Sequence, residues 1–127
     1  MNNIQIILND PPYGTERSYN GLRLAKAVSN EDAHVTVFLL ADAVACAKSG
    51  QKVPQGFYSI ELMLKSILRK GEVLACGTCM DVRGFTDDDI LEGAERSTIQ
   101  VLSEHTLHAD KVLVFQGTEK CPPLRTG

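Results

Sequence analysis

Four short apolar runs, with helix-periodic stretches between them, constrain this 127-residue chain more than any other feature. They are Ile4–Leu8, Val35–Leu40, Val73–Ala75 and Val112–Phe115. None alternates cleanly between apolar and polar residues. Near-continuous β-branched runs suit strands covered on both faces, as in parallel sheets.

The intervening segments read as helices. Ile60, Met63, Leu64, Ile67 and Leu68 fall at i, i+3, i+4, i+7 and i+8, an apolar stripe that Lys70-Gly71 should end with a basic last turn and a glycine stop. Leu22, Ala25 and Val28 give a weaker stripe, as do Ile99, Leu102, Thr106 and Ala109. Asp42–Lys48 is a short helical candidate with Asp42 at or before its start, and 50–56 is a loop. Strands alternating with helices predict a three-layer α/β/α sandwich around a mostly parallel sheet of about five strands. Residues 1–116 form one domain in this reading. Residues 117–127, with Pro122-Pro123, form a C-terminal tail.

Hydrophobic residues are 43% of the chain and charged residues 23%, a globular balance that argues against disorder and coiled coil. The net charge is −3 and no basic tract stands out, so neither nucleic acid nor an anionic membrane is expected as a partner. The longest apolar runs are far short of the roughly 20 residues of a membrane span. Met1–Ile4 lacks the basic and apolar regions of a secretory signal, and a cytoplasmic location is expected.

In open α/β sheets, ligands gather beyond the carboxyl ends of the strands. Two segments reach that edge with informative chemistry. Asn9–Thr15 follows the first run, and Ala75–Gly84 follows the third. Four cysteines, at 46, 76, 79 and 121, are too many to ignore. Without a secretory signal, a close pair such as Cys76-Gly77-Thr78-Cys79 points to metal or redox chemistry rather than a structural disulfide.

The pair has three chemical readings: a redox couple, half of a zinc site, or a sulfur-transfer site. In the last, one thiolate takes up sulfane sulfur as a persulfide and hands it on. Two small buried cysteines at a strand end are the bland alternative. Zinc lacks ligands, because Cys46 and Cys121 lie 30 and 42 positions from the pair. His105 and His108 read as a solvated pair on one helix, and His34 has no visible partner. No metal and no cofactor are expected. A thioredoxin-type couple normally opens a helix with an aromatic or proline nearby, after a differently placed strand, and so ranks below sulfur transfer.

Arg83 can lower the Cys76 pKa if the turn after the pair brings it back toward the sulfur; otherwise it is a surface arginine paired with Asp81, Asp87, Asp88 or Asp89. Gly84 suits a turn that needs a positive φ. Asp10–Glu16 reads as a strand-to-helix loop, capped by Thr15, whose Asp10, Tyr13 and Gly14 rim the site together with Gly77. It lacks the glycines and lysine of a phosphate cradle. Cys46 reads as core.

Residues Asn9–Glu16, Leu40–Val44, Cys76–Gly84 and Ala109–Phe115, in that order, resemble the DsrE/DsrF-like family, in particular its YchN type and the related sulfur-relay protein TusD. The likeness runs from residue 1 to about 116. It implies a parallel α/β/α sandwich and a homo-oligomer, hexameric in the YchN type. For the sulfur-relay members it implies a persulfide-carrying cysteine at the position of Cys76, seven residues before Arg83. The expectation is therefore a small sulfur carrier, sulfurtransferase-like, working between a sulfur donor and an acceptor protein. Cys76 is the acceptor, Cys79 a resolving thiol and Arg83 an anion stabiliser. The alternative is a non-catalytic oligomeric binding or redox-sensing protein with a structural cysteine pair.

Overall fold

A computed structural model describes residues 2–117. Five parallel strands form one sheet in the order β4-β3-β2-β1-β5. They are β1 (Asn2–Leu8), β2 (Ala33–Leu39), β3 (Glu72–Cys76), β4 (Glu95–Ser97) and β5 (Lys111–Phe115). Four contain the four apolar runs. The fifth, β4, is a polar Glu-Arg-Ser segment with no apolar run to mark it.

Helix α1 (Arg17–Ser29) connects β1 to β2, and α2 (Ile60–Leu68) precedes β3. Helix α3 (Gly77–Val82) follows β3 directly, and α4 (Ile99–His108) precedes β5. The strand pleat sorts the core. Ile4, Ile6 and Leu8 of β1 are buried on the face that carries α1, whose Gly21 lies against Leu8 and Phe115. Gln5 is on the opposite face, where its Nε2 donates to Thr106 Oγ1 of α4 at 2.7 Å. Val35, Val37, Phe38 and Leu39 of β2 are all fully buried, as expected of a central strand covered on both sides.

Several local expectations change. β5 is an edge strand and is not covered on both faces: Val112 and Val114 are exposed. The stripe on α4 buries Leu102 but leaves Ile99 out in solvent. The Asp42–Lys48 segment is a 3₁₀ helix over Ala41–Ala47, and Asp42 does not cap it because its carboxylate is bound elsewhere. Thr15 does not cap α1; its hydroxyl donates to Asp10 Oδ2, and Glu16 is the uncapped N-cap. α2 starts at the Ser59 cap and ends at Leu68, before Lys70-Gly71. Gly71 keeps a negative φ and is required by crowding: a Cβ there would stand 2.3 Å from the Val35 carbonyl oxygen. No helix among the described residues is long and apolar enough to cross a membrane. Cys121 and the tail from 118 on lie outside the described residues.

Candidate functional site

The order of the sheet has its topological switch between β1 and β5, where such folds commonly hold ligands. Here the chain itself fills that crevice. Asp10 is buried; its Oδ1 accepts from the Gly117 N–H at 2.9 Å and its Oδ2 from Arg17 at 3.1 Å. Tyr13 donates to Gln51 Oε1 at 2.6 Å and accepts from the Ile60 N–H. Gly14 is exposed, with φ 98°. This loop sits at the end of β1, two strands and about 10 Å in sheet spacing from β3. No hydrogen bond or ion pair among the described residues joins Asp10, Tyr13 or Gly14 to the cysteine pair.

The pair itself stands at the carboxyl end of β3. Cys76 ends the strand, 9% exposed, and its neighbour Gly77 opens α3. The expected turn is thus a helix, and the Cys-Gly-Thr-Cys segment does open it. Cys76 occupies the N-cap with extended φ and ψ, and its sulfur accepts the Cys79 N–H at 3.5 Å, the contact a serine hydroxyl makes at other caps. Helical spacing then puts Cys79 one turn on, beside the same sulfur. Both thiols are free, as is Cys46.

The two sulfurs have different surroundings. Cys79 Sγ accepts the Ala41 N–H at 3.3 Å. Arg83 reaches the same place: Nη1 donates to the Cys79 carbonyl at 3.1 Å, while Nε and Nη2 hold Asp42 Oδ1 at 3.1 and 2.8 Å. Burial first, then the hydrogen bond with Cys76, pushes the Cys79 thiol above its usual value; the Ala41 N–H and Arg83 pull it down. Arg83 is therefore engaged by Asp42, not by Asp81, Asp87, Asp88 or Asp89, and its charge falls on Cys79. Gly84 takes the expected positive φ, 75°, as the chain leaves α3.

The cation on the Cys76 side is one that the sequence did not single out. Arg96 of β4 packs over Gly77 and binds Asp81 Oδ2 at 2.6 Å, with Asp87 at 3.8 Å. Its hydrogen bond to Asp81 chiefly raises its pKa, and the proximity of Asp87 and Cys76 adds to this. The matching effect lowers the pKa of Asp81. The only sequence signal was the arginine itself, since its strand has no apolar pattern.

Cys46 is fully buried, with Sγ 3.9 Å from the Asp10 carbonyl oxygen. Burial pushes its pKa up to about 12, against smaller effects of its hydrogen bonds. It is core, as its position in the sequence suggested. His34 does have a partner: its Nε2 lies 3.6 Å from Glu72 Oε2 across β2 and β3. His34, His105 and His108 line one cavity of about 340 Å³ at the amino ends of the strands, far from the cysteines. Among the described residues no group of three or more His, Cys, Asp or Glu side chains is placed to hold a metal ion. A second cavity, about 540 Å³, opens between α1 and α2 beside Tyr19, Arg23 and Tyr58.

The fold and this strand-end cysteine pair can be set beside known proteins. The chain is 39% identical to YchN of Escherichia coli over 118 residues, 91% of this chain and all of that one. An uncharacterized protein of Methanopyrus kandleri is 35% identical over 112 residues, covering 88% of this chain and 93% of its own. The crystal structure of the Escherichia coli YchN protein superposes with a TM-score of 0.86 over the same 91% and 100%. A protein of unknown function from Methanobacterium thermoautotrophicum shares the fold at 14% identity, with a TM-score of 0.67 over 89% of this chain and 99% of that one. The family pattern itself matches residues 2–115, every strand of the sheet and the cysteine pair included, and the chain therefore belongs to the DsrE/DsrF-like family.

Proposed function

We propose that this protein is a sulfur carrier, sulfurtransferase-like, that accepts sulfane sulfur as a persulfide on Cys76 and passes it to a partner protein. The observation that carries this reading is the asymmetry of the pair. Cys76, buried at the strand end, caps α3 with its sulfur 3.5 Å from the Cys79 N–H, whereas the more exposed Cys79 accepts the Ala41 N–H at 3.3 Å and has Arg83 on its carbonyl. A transfer site needs one thiolate to carry the sulfur and one thiol close enough to resolve it. A partner thiolate that attacks the outer sulfur takes it as a new persulfide while the Cys76 thiolate leaves. Cys79, one helical turn on, can instead attack Cys76 Sγ, forming the Cys76–Cys79 disulfide as the outer sulfur leaves as HS⁻. Arg83 supports the Cys79 thiolate in that step. A reducing compartment such as the cytoplasm keeps both thiols available.

The carrier acts as a homo-oligomer, hexameric by family likeness, and exchanges sulfur with donor and acceptor proteins. The exposed Val112 and Val114 of the edge strand β5 support self-association.

Incubation with a sulfane donor followed by intact-mass measurement tests the reading. The carrier gains one sulfur atom, removable by cyanide or dithiothreitol. If the parent gives only a Cys76–Cys79 disulfide and the Cys79→Ser chain gains no sulfur, the protein is a redox sensor, a reading favoured by the way the pair opens a helix. No change in mass makes it a binding module.

A further inference from the structure

β4 runs parallel to β3 with Ala75 opposite Arg96 and Cys76 opposite Ser97. The Arg96 side chain turns from its strand across Gly77, the residue next to Cys76. A Cβ at position 77 would stand 2.8 Å from Arg96 Nε, 3.1 Å from Cζ and 3.2 Å from Cγ. At 2.8 Å something must shift, here the end of the Arg96 side chain, so a Cβ at position 77 would move the guanidinium from this place. Beyond Gly77, Arg96 Nη2 is held by Asp81 of α3 at 2.6 Å. The guanidinium is thus fixed from both sides, against the backbone that follows the sulfur.

We propose that Arg96 holds the sulfur anion on Cys76, first as thiolate and then as perthiolate, with Gly77 and Asp81 as the residues that position its guanidinium. This rests on the carrier reading and deepens it by naming the group that stabilises the anion. The guanidinium lies over Gly77, the residue that follows Cys76, and a fixed positive charge at that place favours an anion on the neighbouring sulfur.

The loading step needs that charge at both ends. The Cys76 thiolate attacks the outer sulfur of a donor persulfide, R–S–SH. A bond forms between Cys76 Sγ and that sulfur as the R–S to S bond breaks, and R–S⁻ leaves with the electron pair. Nothing is oxidised or reduced overall. The Cys76–S–SH produced is more acidic than a thiol and gives its proton to solvent, which leaves a negative sulfur at the same cation. Arg83 does not substitute for it, because its guanidinium lies at the Cys79 carbonyl and its charge falls on Cys79.

The test is the pH profile of Cys76 alkylation by iodoacetamide, read by peptide mapping in a Cys79→Ser chain. Arg96→Gln should move the profile to higher pH by about 1 unit, the low end for loss of an opposite charge at close range. Arg96→Lys should recover part of that shift. Gly77→Ala, which displaces the guanidinium without removing it, should move the profile the same way. Loading from glutathione persulfide near neutral pH should slow by about tenfold or less in Arg96→Gln, the rate equivalent of that shift. A folded Arg96→Gln chain with the parent's alkylation profile overturns the proposal. If that variant does not fold, Asp81→Asn, which frees the guanidinium, decides the matter: an upward shift supports the proposal and an unchanged profile overturns it. Alkylation needs no sulfur donor. A parent protein that takes up no sulfur therefore sinks the carrier reading alone, while the profile still decides on Arg96.

Discussion

The backbone N–H of Ala41 points at the sulfur of Cys79, 3.3 Å away, and fastens the start of the 3₁₀ segment to α3. Ala41 adopts φ 51° to do so, a left-handed conformation unusual for a residue with a Cβ. Asp42, its neighbour, binds Arg83, which returns to the Cys79 carbonyl. The surface ion pair contributes little energy by itself. Together, however, these contacts fix Cys79 one helical turn from Cys76, whose sulfur accepts the Cys79 N–H.

The stability of the Cys79 variants should reflect that contact. Cys79→Ser keeps an acceptor for the Ala41 N–H, whereas Cys79→Ala leaves a part-buried donor without one. Urea unfolding should find the alanine variant less stable than the serine variant by about 1 kcal/mol. Equal stability would mean that the sulfur contact contributes nothing.

Sulfur loading should divide the pair. Cys76→Ser should take up no stable adduct, while Cys79→Ser should load as wild type and hold the adduct longer, because the resolving thiol is gone. Arg83→Ala removes the charge that lowers the Cys79 pKa, so it should slow release more than loading. Time courses by intact mass separate the two steps. Loading by Cys76→Ser together with its loss in Cys79→Ser would reverse the roles.

Cys46 supplies a pH test with a definite sign. Its thiol ionises near 9.0 when exposed and near 12 in the folded protein, because burial disfavours the thiolate. Below pH 9 both states hold the proton and the group adds no pH dependence. Between 9 and 12 the unfolded chain loses protons that the folded chain keeps, so stability falls as pH rises. That shift of about three units corresponds to about 4 kcal/mol at most over the window. Cys46→Val should flatten the alkaline slope, measured by urea midpoints against pH. Near neutral pH, Cys76 should be alkylated well before Cys46 in the folded protein. Faster labelling of Cys46 would move the site away from the pair.

The sheet was legible wherever the sequence holds an apolar run. Burial left one in β1, β2 and β3, β5 carries one although none of its residues is buried, and the class of fold follows from their spacing. β4 carries none, because three residues at the sheet edge need no apolar pattern to pair with β3. That strand delivers Arg96, so the cation beside Cys76 was hidden for the same reason. Arg83 drew attention through its distance along the chain from Cys76, but a six-residue helix carries it past that sulfur to Asp42. The Asp10 loop did reach the carboxyl edge, as its position after β1 required. Which of its polar groups would be tied up by Gly117, Arg17 and Gln51 depends on chain pairing that local sequence does not encode.

Self-association is the last expectation, and the surface around β5 carries it. Val112 and Val114 expose one face of the edge strand, and Leu107 and Ile99 of α4 are 80% and 60% exposed. Edge strands invite pairing or cover unless charge or proline blocks them, and large apolar side chains grouped on a small domain mark an interaction surface. A second copy of this chain is the partner that family likeness favours. Light scattering at micromolar concentration should therefore give more than a dimer, with a hexamer the expected species. Val114→Glu, which puts a charge on the exposed face of β5 without touching the buried core, should lower the mass and leave the circular dichroism of the domain unchanged. A monomeric wild-type protein would remove the oligomer. A wild-type oligomer unaffected by Val114→Glu would place the contact on another surface of the domain.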